Sequence, residues 1–242
     1  MTLAVHQPQY IPWLGYLHKI AQSDLFVYLD CCQYKHREFQ NRNRILTSNG
    51  ELWLAVPVQV KGKRDQAIKD TMIDNGQRWG KSHFDSMRHT YSKAPYWRDH
   101  ALFLEEALCG KTWDRLMDVN IAITAYMLEV FGIATAIRLE SEIGTTGEST
   151  ERIIELCKKT GADGYLSGNG AKAYMDETRF AQEGLFLTYQ HFTHPVYPQC
   201  TGKGSFQPYM SALDAMMNVA PNDLAALAAG KTKDEGVVSI CD

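Results

Sequence analysis

The sequence lacks the long apolar runs, the excess of basic charge and the leader pattern that mark three large classes of protein. No segment approaches the roughly 20 apolar residues that span a bilayer, so no membrane helix is predicted. The 25 lysines and arginines are outnumbered by 28 aspartates and glutamates, and the formal net charge of −3 argues against nucleic-acid binding. No basic segment followed by an apolar stretch opens the chain, so we expect no signal peptide.

Cysteine is present, but its spacing is not that of a zinc site. The six cysteines include no Cys-x-x-Cys pair, and the adjacent Cys31 and Cys32 would form only a strained disulfide. We therefore expect a reduced, cytoplasmic protein. A thiol mechanism is disfavoured, since Cys157 lies on the apolar face of a predicted helix.

The chain also has no Gly/Ser-rich linker, internal repeat or low-complexity tract. Hydrophobic residues make up 45% and charged residues 22% of the 242, which is an ordinary globular composition. A chain of this length buries about 70% of its unfolded surface. We expect a single α/β domain over residues 1–242, with a mostly helical segment at about 82–131.

Apolar runs and helical periodicities alternate along the chain, which predicts βα units and a parallel sheet. The pattern predicts strands at 3–5, 25–30, 51–60, 136–139, 164–167 and 185–192. It predicts helices at 13–22, 149–160, 171–182, 212–218 and 223–230, with residues 31–49 as a long loop. The predicted fold is a mainly parallel, Rossmann-like sheet with helices on both faces and a central helical block.

Polar side chains follow several of these strands. His6 and Gln7 end the first strand, Asp30 the second, and the later ends carry Ser167-Gly168-Asn169-Gly170 and the segment 191–194. Ligands of open parallel sheets bind outside the carboxyl ends of the strands. The sequence therefore predicts a ligand site at this edge, with His6 or His194 as a general base.

Each motif at this edge has a structural alternative. The loop from His6 to Tyr16 either presents His6 and Gln7 to a ligand or is a proline-stiffened connection whose aromatic residues fill the core. The stretch 40–44 either recognises an anionic or nucleotide-linked ligand or is a solvated loop. The turn 167–170 either cradles a phosphate or oxyanion or is only a tight turn. No metal site is predicted, because no candidate ligand pair has metal-site spacing.

Together, the motifs resemble the WbqC-like protein family over nearly the whole chain, to about residue 218. The opening segment His6-Gln7-Pro8-Gln9-Tyr10-x-Pro12-Trp13-x-Gly15-Tyr16-x-x-Lys19 is the longest match. Further matches are the strand ending in Asp30, Gln40-Asn41-Arg42-Asn43-Arg44-Ile45, Trp53-Leu54-x-Val56-Pro57-Val58, Asp163-x-Tyr165-Leu166-Ser167-Gly168 and His194-Pro195-Val196-Tyr197-x-Gln199. Two departures stand out: Cys31 occupies a position that is usually acidic, and the segment beyond Pro221 looks unlike the family.

The resemblance implies an enzyme of bacterial polysaccharide or O-antigen biosynthesis that transfers an acyl or aminoacyl group to the amine of a nucleotide-linked amino sugar. An acyl or aminoacyl thioester, with a carrier protein as its source, or ATP would supply the donor. The implied catalytic residues are His6, Asp30 and His194. The implied substrate-binding residues are Gln7, Tyr10, Trp13, Gly15, Lys19, Asn41, Arg42, Asn43, Arg44, Ser167, Gly168, Asn169 and Tyr197.

In this scheme Asp30 orients an imidazole or holds the amine, and Arg42 and Arg44 hold the diphosphate. Two alternatives stay open. One is an ATP-using nucleotidyltransferase, although Gly15 is followed by Tyr16 and not by the histidine of an HxGH motif. The other is a binding module without catalysis, for a nucleotide sugar or a carrier protein.

Overall fold

The computed structural model describes residues 1–173, 175–201 and 204–230. Within these ranges the strands are β1 (Thr2–His6), β2 (Leu25–Tyr28), β3 (Arg42–Thr47), β4 (Gly50–Ala55), β5 (Ala136–Leu139), β6 (Gly164–Ser167) and β7 (Phe186–Tyr189). The helices are α1 (Leu14–Ala21), α2 (Trp79–Tyr91), α3 (Trp97–Glu105), α4 (Leu116–Val130), α5 (Glu140–Ile143), α6 (Ser149–Thr160), α7 (Glu177–Gln182), α8 (Ala212–Asn218) and α9 (Pro221–Ala228). None of the described helices is long and apolar enough to cross a membrane.

Five parallel strands form the main sheet, in the order β5-β2-β1-β6-β7. The strand β1 lies at the centre, with Leu3 opposite Leu25 on one side and Tyr165 on the other. Side chains alternate between the two faces of a strand, and both faces of this sheet are buried. The predicted Rossmann-like α/β fold is confirmed.

Each face of the sheet has its own apolar core. Ala4, Phe26 and Leu166 point into a large core shared with α1, α4, α8 and α9. Leu3 and Val27 point the other way, into a smaller core that α6 and α7 close. The alternation explains why the strands read as continuous apolar runs, and it confirms helices on both faces.

A β-hairpin stands apart from the main sheet. The strands β3 and β4 pair antiparallel, with Thr47 opposite Gly50, so the turn consists of Ser48 and Asn49, and Gly50 of the predicted Asn49-Gly50 turn signal begins β4. The prediction of a loop over 31–49 is therefore wrong for 42–47, where a polar segment becomes a strand by pairing with its neighbour. The predicted strand 51–60 ends at Ala55, two residues before Pro57, whose nitrogen cannot donate to a ladder.

A second difference lies after β6. The segment predicted as a helix from residue 171 begins a regular helix only at Glu177. Asp176 caps that helix by accepting from the backbone N–H groups of Thr178 and Arg179. A capping aspartate fixes a helix start more strongly than the apolar periodicity upstream of it.

The predicted helical block consists of α2, α3, a π-helical turn over Glu106–Gly110, and α4. The turn packs against the start of α2, where a Cβ on Gly80 would lie 1.9 Å from the carbonyl oxygen of Leu108. Only glycine allows this approach of two backbones.

We therefore expect Gly80→Ala to lower the free energy of unfolding by about 2 kcal/mol, a typical cost of overpacking. Urea denaturation followed by circular dichroism measures it. The matched control is Gly110→Ala, since a Cβ there meets nothing closer than 3.9 Å. Equal urea midpoints for the two variants would contradict the backbone contact.

Candidate functional site

A cavity of about 450 Å³ opens at the carboxyl ends of β1 and β6. The strands β1 and β6 are neighbours in the sheet. From β1 the chain crosses to β2 on one side, and from β6 it crosses to β7 on the other side. Neighbouring strands whose connections leave in opposite directions create a crevice at this topological switch point, which is the usual ligand position in such sheets. The 450 Å³ cavity is therefore a switch-point cavity. A smaller cavity of about 260 Å³ adjoins it, and the two share His6, Lys19, Gly168 and Gly170.

His6 occupies the boundary between the two cavities. It is the last residue of β1, and its ring lies edge-on to Tyr16, with centroids 5.0 Å apart. Its Nδ1 lies 3.0 Å from the carbonyl oxygen of Gln7, a contact that favours the proton on Nδ1 and leaves Nε2 as the acceptor. Burial and then the charge of Lys19 lower the pKa of His6 to about 4, so the ring is neutral at pH 7.

Lys19 reaches this point from α1. Its side chain is buried, and its Nζ donates a 2.8 Å hydrogen bond to the carbonyl oxygen of Val5. Burial lowers the pKa of Lys19 to about 8. The ammonium group faces the turn after β6, where a Cβ on Gly168 would lie 3.8 Å from Nζ.

Two further cations line the larger cavity, and the sequence analysis missed both. Lys35 and Arg152 reach it from the loop after β2 and from the first turn of α6. Ser149, the first residue of α6, also lines it and has a positive φ of 50°. Unpaired N–H groups and the helix dipole make such a helix start an anion site. The signal available for Arg152 was its place in the first turn of α6, the next predicted element after the strand at 136–139.

The turn after β6 forms the opposite wall. Gly168, Asn169 and Gly170 line the smaller cavity, and a 3₁₀ turn over Asn169–Ala171 begins there. The first N–H groups of such a turn have no partner within it. The side chain of Ser167, the last residue of β6, is fully buried and lines neither cavity.

The remaining wall of the smaller cavity is aromatic. The Trp13 indole lies over Gly15, where a Cβ would be 2.2 Å from the ring. Gln190, which the sequence analysis missed, donates from Nε2 to the carbonyl oxygen of Gly15 at 2.7 Å. Gln7 lines the larger cavity, and its Oε1 accepts from Nε2 of Gln40 at 2.7 Å.

His194 lies behind this wall, outside both cavities. Its ring stacks on Trp13, with centroids 6.5 Å apart and an interplanar angle of 18°. Its Nδ1 lies 2.9 Å from the carbonyl oxygen of Pro195, and its Nε2 is buried without a partner among the described residues. Burial lowers the pKa of His194. The structure therefore does not bring His6 and His194 together at one cavity.

Asp30 lies at the end of β2 and is fully buried, outside both cavities. Its Oδ1 accepts from the backbone N–H of Ser141 at 3.0 Å, and Glu140 and Cys31 are its acidic and thiol neighbours. No hydrogen bond joins Asp30 to His6 within the described chain. A second carboxylate thus comes from Glu140 and not from the position that Cys31 occupies.

The other predicted substrate-binding residues lie in the core or on the hairpin. Tyr10 is fully buried, with its hydroxyl 2.8 Å from Nδ1 of His83. Tyr197 lines a separate cavity of about 220 Å³. The guanidinium of Arg42 lies 4.5 Å from the Trp53 ring centroid. Four more of these residues lie on the hairpin or directly before it and line neither cavity: Asn41, Arg42, Asn43 and Arg44.

These hairpin residues have structural partners. Asn43 donates from Nδ2 to the carbonyl oxygen of Ile11 at 2.9 Å, and Asn41 to that of Val56 at 2.9 Å. Arg44 forms a 2.8 Å ion pair with Glu51. The cations that face the cavity are thus Lys19, Lys35 and Arg152.

We expect the low pKa of His6 to make stability depend on pH. Between pH 6.5 and 4 the unfolded chain binds a proton at His6 that the folded chain does not, so stability falls as the pH falls through this window. At about 1.4 kcal/mol per pKa unit, the loss from His6 is about 3 kcal/mol. His6→Gln should flatten the dependence by this amount in urea denaturation from pH 4 to 7. The control, His36→Gln at an exposed histidine, should retain the wild-type slope.

Comparison with known proteins supplies the family. Residues 7–226 match the WbqC-like protein family. The prediction that the segment beyond Pro221 differs from the family is therefore wrong as far as residue 226. The chain is 35% identical over 218 residues to the uncharacterized protein Rv1507c of Mycobacterium tuberculosis, which covers 90% of this chain and 93% of that protein. No solved structure matches the chain. With its opening motif around the switch-point cavity and a match over most of its length, the protein belongs to the WbqC-like protein family.

Proposed function

We propose that the protein transfers an acyl or aminoacyl group to the amine of a nucleotide-linked amino sugar, in bacterial polysaccharide biosynthesis. The observation that carries the proposal is the switch-point cavity, which joins a neutral histidine to a group of cations. An anionic ligand is held by the cations while its uncharged end reaches His6. The two adjoining cavities, of about 450 and 260 Å³, fall in the size range of sites for small organic ligands.

In this proposal the diphosphate of the nucleotide sugar binds at the N-terminus of α6. Lys35 and Arg152 supply charge, and the first N–H groups of α6 supply hydrogen bonds. Arg152 also donates from Nη1 to the Cys32 sulfur at 2.9 Å, and this contact holds the guanidinium at the cavity wall. The sugar then extends toward His6 and the turn after β6.

His6 acts as the general base. The sugar amine attacks the carbonyl carbon of the donor thioester, an N–C bond forms, and the C–S bond breaks as a thiolate leaves, which then takes the proton that His6 has accepted from the amine. The proton of the amine passes to Nε2 of His6, which the contact of Nδ1 with Gln7 leaves as the acceptor. The first N–H groups of the 169–171 turn are positioned to stabilise the oxyanion.

Lys35→Ala should weaken nucleotide-sugar binding about tenfold, the loss of about 1.4 kcal/mol from one charge-assisted contact. Thermal shifts with dTDP-, UDP- and GDP-linked amino sugars, acyl-coenzyme A and ATP with magnesium identify the ligand, and titration gives Kd. The matched control is Arg44→Ala, whose side chain pairs with Glu51 on the hairpin. A response to ATP with magnesium alone would replace the proposal by nucleotidyl transfer.

His6→Gln should lower kcat for amide formation by on the order of 10²- to 10⁴-fold, the usual contribution of a general base. The Kd for the nucleotide sugar should change little, because the cations that bind the phosphates remain. A coupled assay of thiol release from an aminoacyl or acyl thioester measures the rate, with His36→Gln as the control. Tight binding of the nucleotide sugar by the wild type without turnover of any donor would make the protein a binding module.

A further inference from the structure

A second group of chemically active side chains lies next to the cavity, at the carboxyl ends of β2 and β5. These strands are parallel neighbours, with Tyr28 opposite Leu139. Asp30 follows β2, and Glu140 follows β5 directly, so the sheet register brings the two carboxylates together. Both side chains are completely buried. The ligand atoms of Asp30, Glu140 and Cys31 all lie within 4.8 Å of one another.

Only half of the carboxylate oxygens in this group have partners. Asp30 Oδ1 accepts from the N–H of Ser141, and Glu140 Oε1 accepts from the Thr145 hydroxyl at 2.5 Å. Asp30 Oδ2 and Glu140 Oε2 are buried without a hydrogen-bond partner among the described residues. An unpartnered buried carboxylate oxygen is costly, and here there are two in one place.

The neighbouring cations do not fill this gap. Arg152 approaches Glu140 through Nε at 3.4 Å from Oε1, the oxygen that already has a partner. Lys69 lies 3.5 Å from the sulfur of Cys31, on the outer side of the group. Buried charges in proteins are paired or coordinate metals. Within the part of the chain that the structure describes, the two remaining oxygens have no hydrogen-bond donor and no cation at ion-pair distance.

We propose that Asp30, Glu140 and Cys31 bind a divalent transition-metal ion of the zinc class. Two carboxylate oxygens and one sulfur are a donor set that Zn²⁺ and Co²⁺ accept, whereas Mg²⁺ takes oxygen ligands. Bonds of about 2.0 Å to oxygen and 2.3 Å to sulfur place tetrahedral ligands roughly 3.5 Å apart, so binding requires side-chain shifts of roughly 1 Å. The thiol proton of Cys31 leaves to solvent when the sulfur binds the metal.

The ion would join the ends of two strands and act on the cavity through Arg152. The ion neutralises the carboxylate of Glu140, which in its absence attracts the guanidinium of Arg152. Arg152 then keeps its contact with the Cys32 sulfur and its place in the cavity wall. The metal site does not depend on the proposed transfer reaction.

The test is metal binding by the full chain. After incubation of metal-free protein with Zn²⁺ and desalting, elemental analysis should find one equivalent per chain. With Co²⁺, a thiolate-to-cobalt charge-transfer band should appear. Cys31→Ser should abolish the band, whereas the control Cys109→Ser, at an exposed cysteine, should keep it.

Asp30→Asn and Glu140→Gln conserve side-chain size and remove the charge. Each should weaken Zn²⁺ binding by more than the roughly 10- to 100-fold that loss of an outer partner costs. Circular dichroism checks that they fold, and the Cys31→Ser spectrum tests the site independently if they do not. The proposal is overturned if the wild type retains no Zn²⁺, which is the result expected of two carboxylates that share a proton. It is also overturned if Asp30→Asn retains as much Zn²⁺ as the wild type, or if the cobalt band survives in Cys31→Ser.

Discussion

The arrangement of the site depends on one constraint: β1 is hydrogen-bonded to a parallel strand along both of its edges. Parallel neighbours need crossover connections. The connection from β1 to β2 and the connection from β6 to β7 lead in opposite directions along the sheet. A crevice therefore remains above the end of β1. His6 stands at its centre because it is the last residue of the strand, and the turn after β6 closes it on one side.

Buried amides fix the loop that leaves β1. Gln40 bridges two parts of the fold, since its side chain donates to Gln7 while its backbone carbonyl accepts from Asn120 at 2.8 Å. Asn43 holds the carbonyl oxygen of Ile11 in the same way. A buried amide is stable only when its hydrogen bonds are made, so these contacts set one conformation for the loop. The polar stretch 40–44 thus supports the loop from inside the protein, and from Arg42 onward it is a strand rather than a solvated loop.

The predictable part of the fold is the part with strong local signals. The strands β5 and β6 and the helices α6 and α8 begin and end at the residues that the sequence pattern predicted, and Gly161 ends α6 in the left-handed conformation. The strand β3 was missed because four of its six residues are polar and its partner, not its composition, makes it a strand.

The sequence by itself determined the alternation of strands and helices, the polar residues that end the strands, and the opening motif around His6. These features follow from local periodicity and from residue chemistry. Only the tertiary structure decided which strand ends are neighbours. It joined His6 to Lys35 and Arg152, kept His194 behind Trp13, and placed Asp30 beside Glu140, which lies 110 positions away in a different strand–helix unit. The physical reason is that the order of strands in a sheet is set by long-range packing, and local sequence patterns do not encode that order.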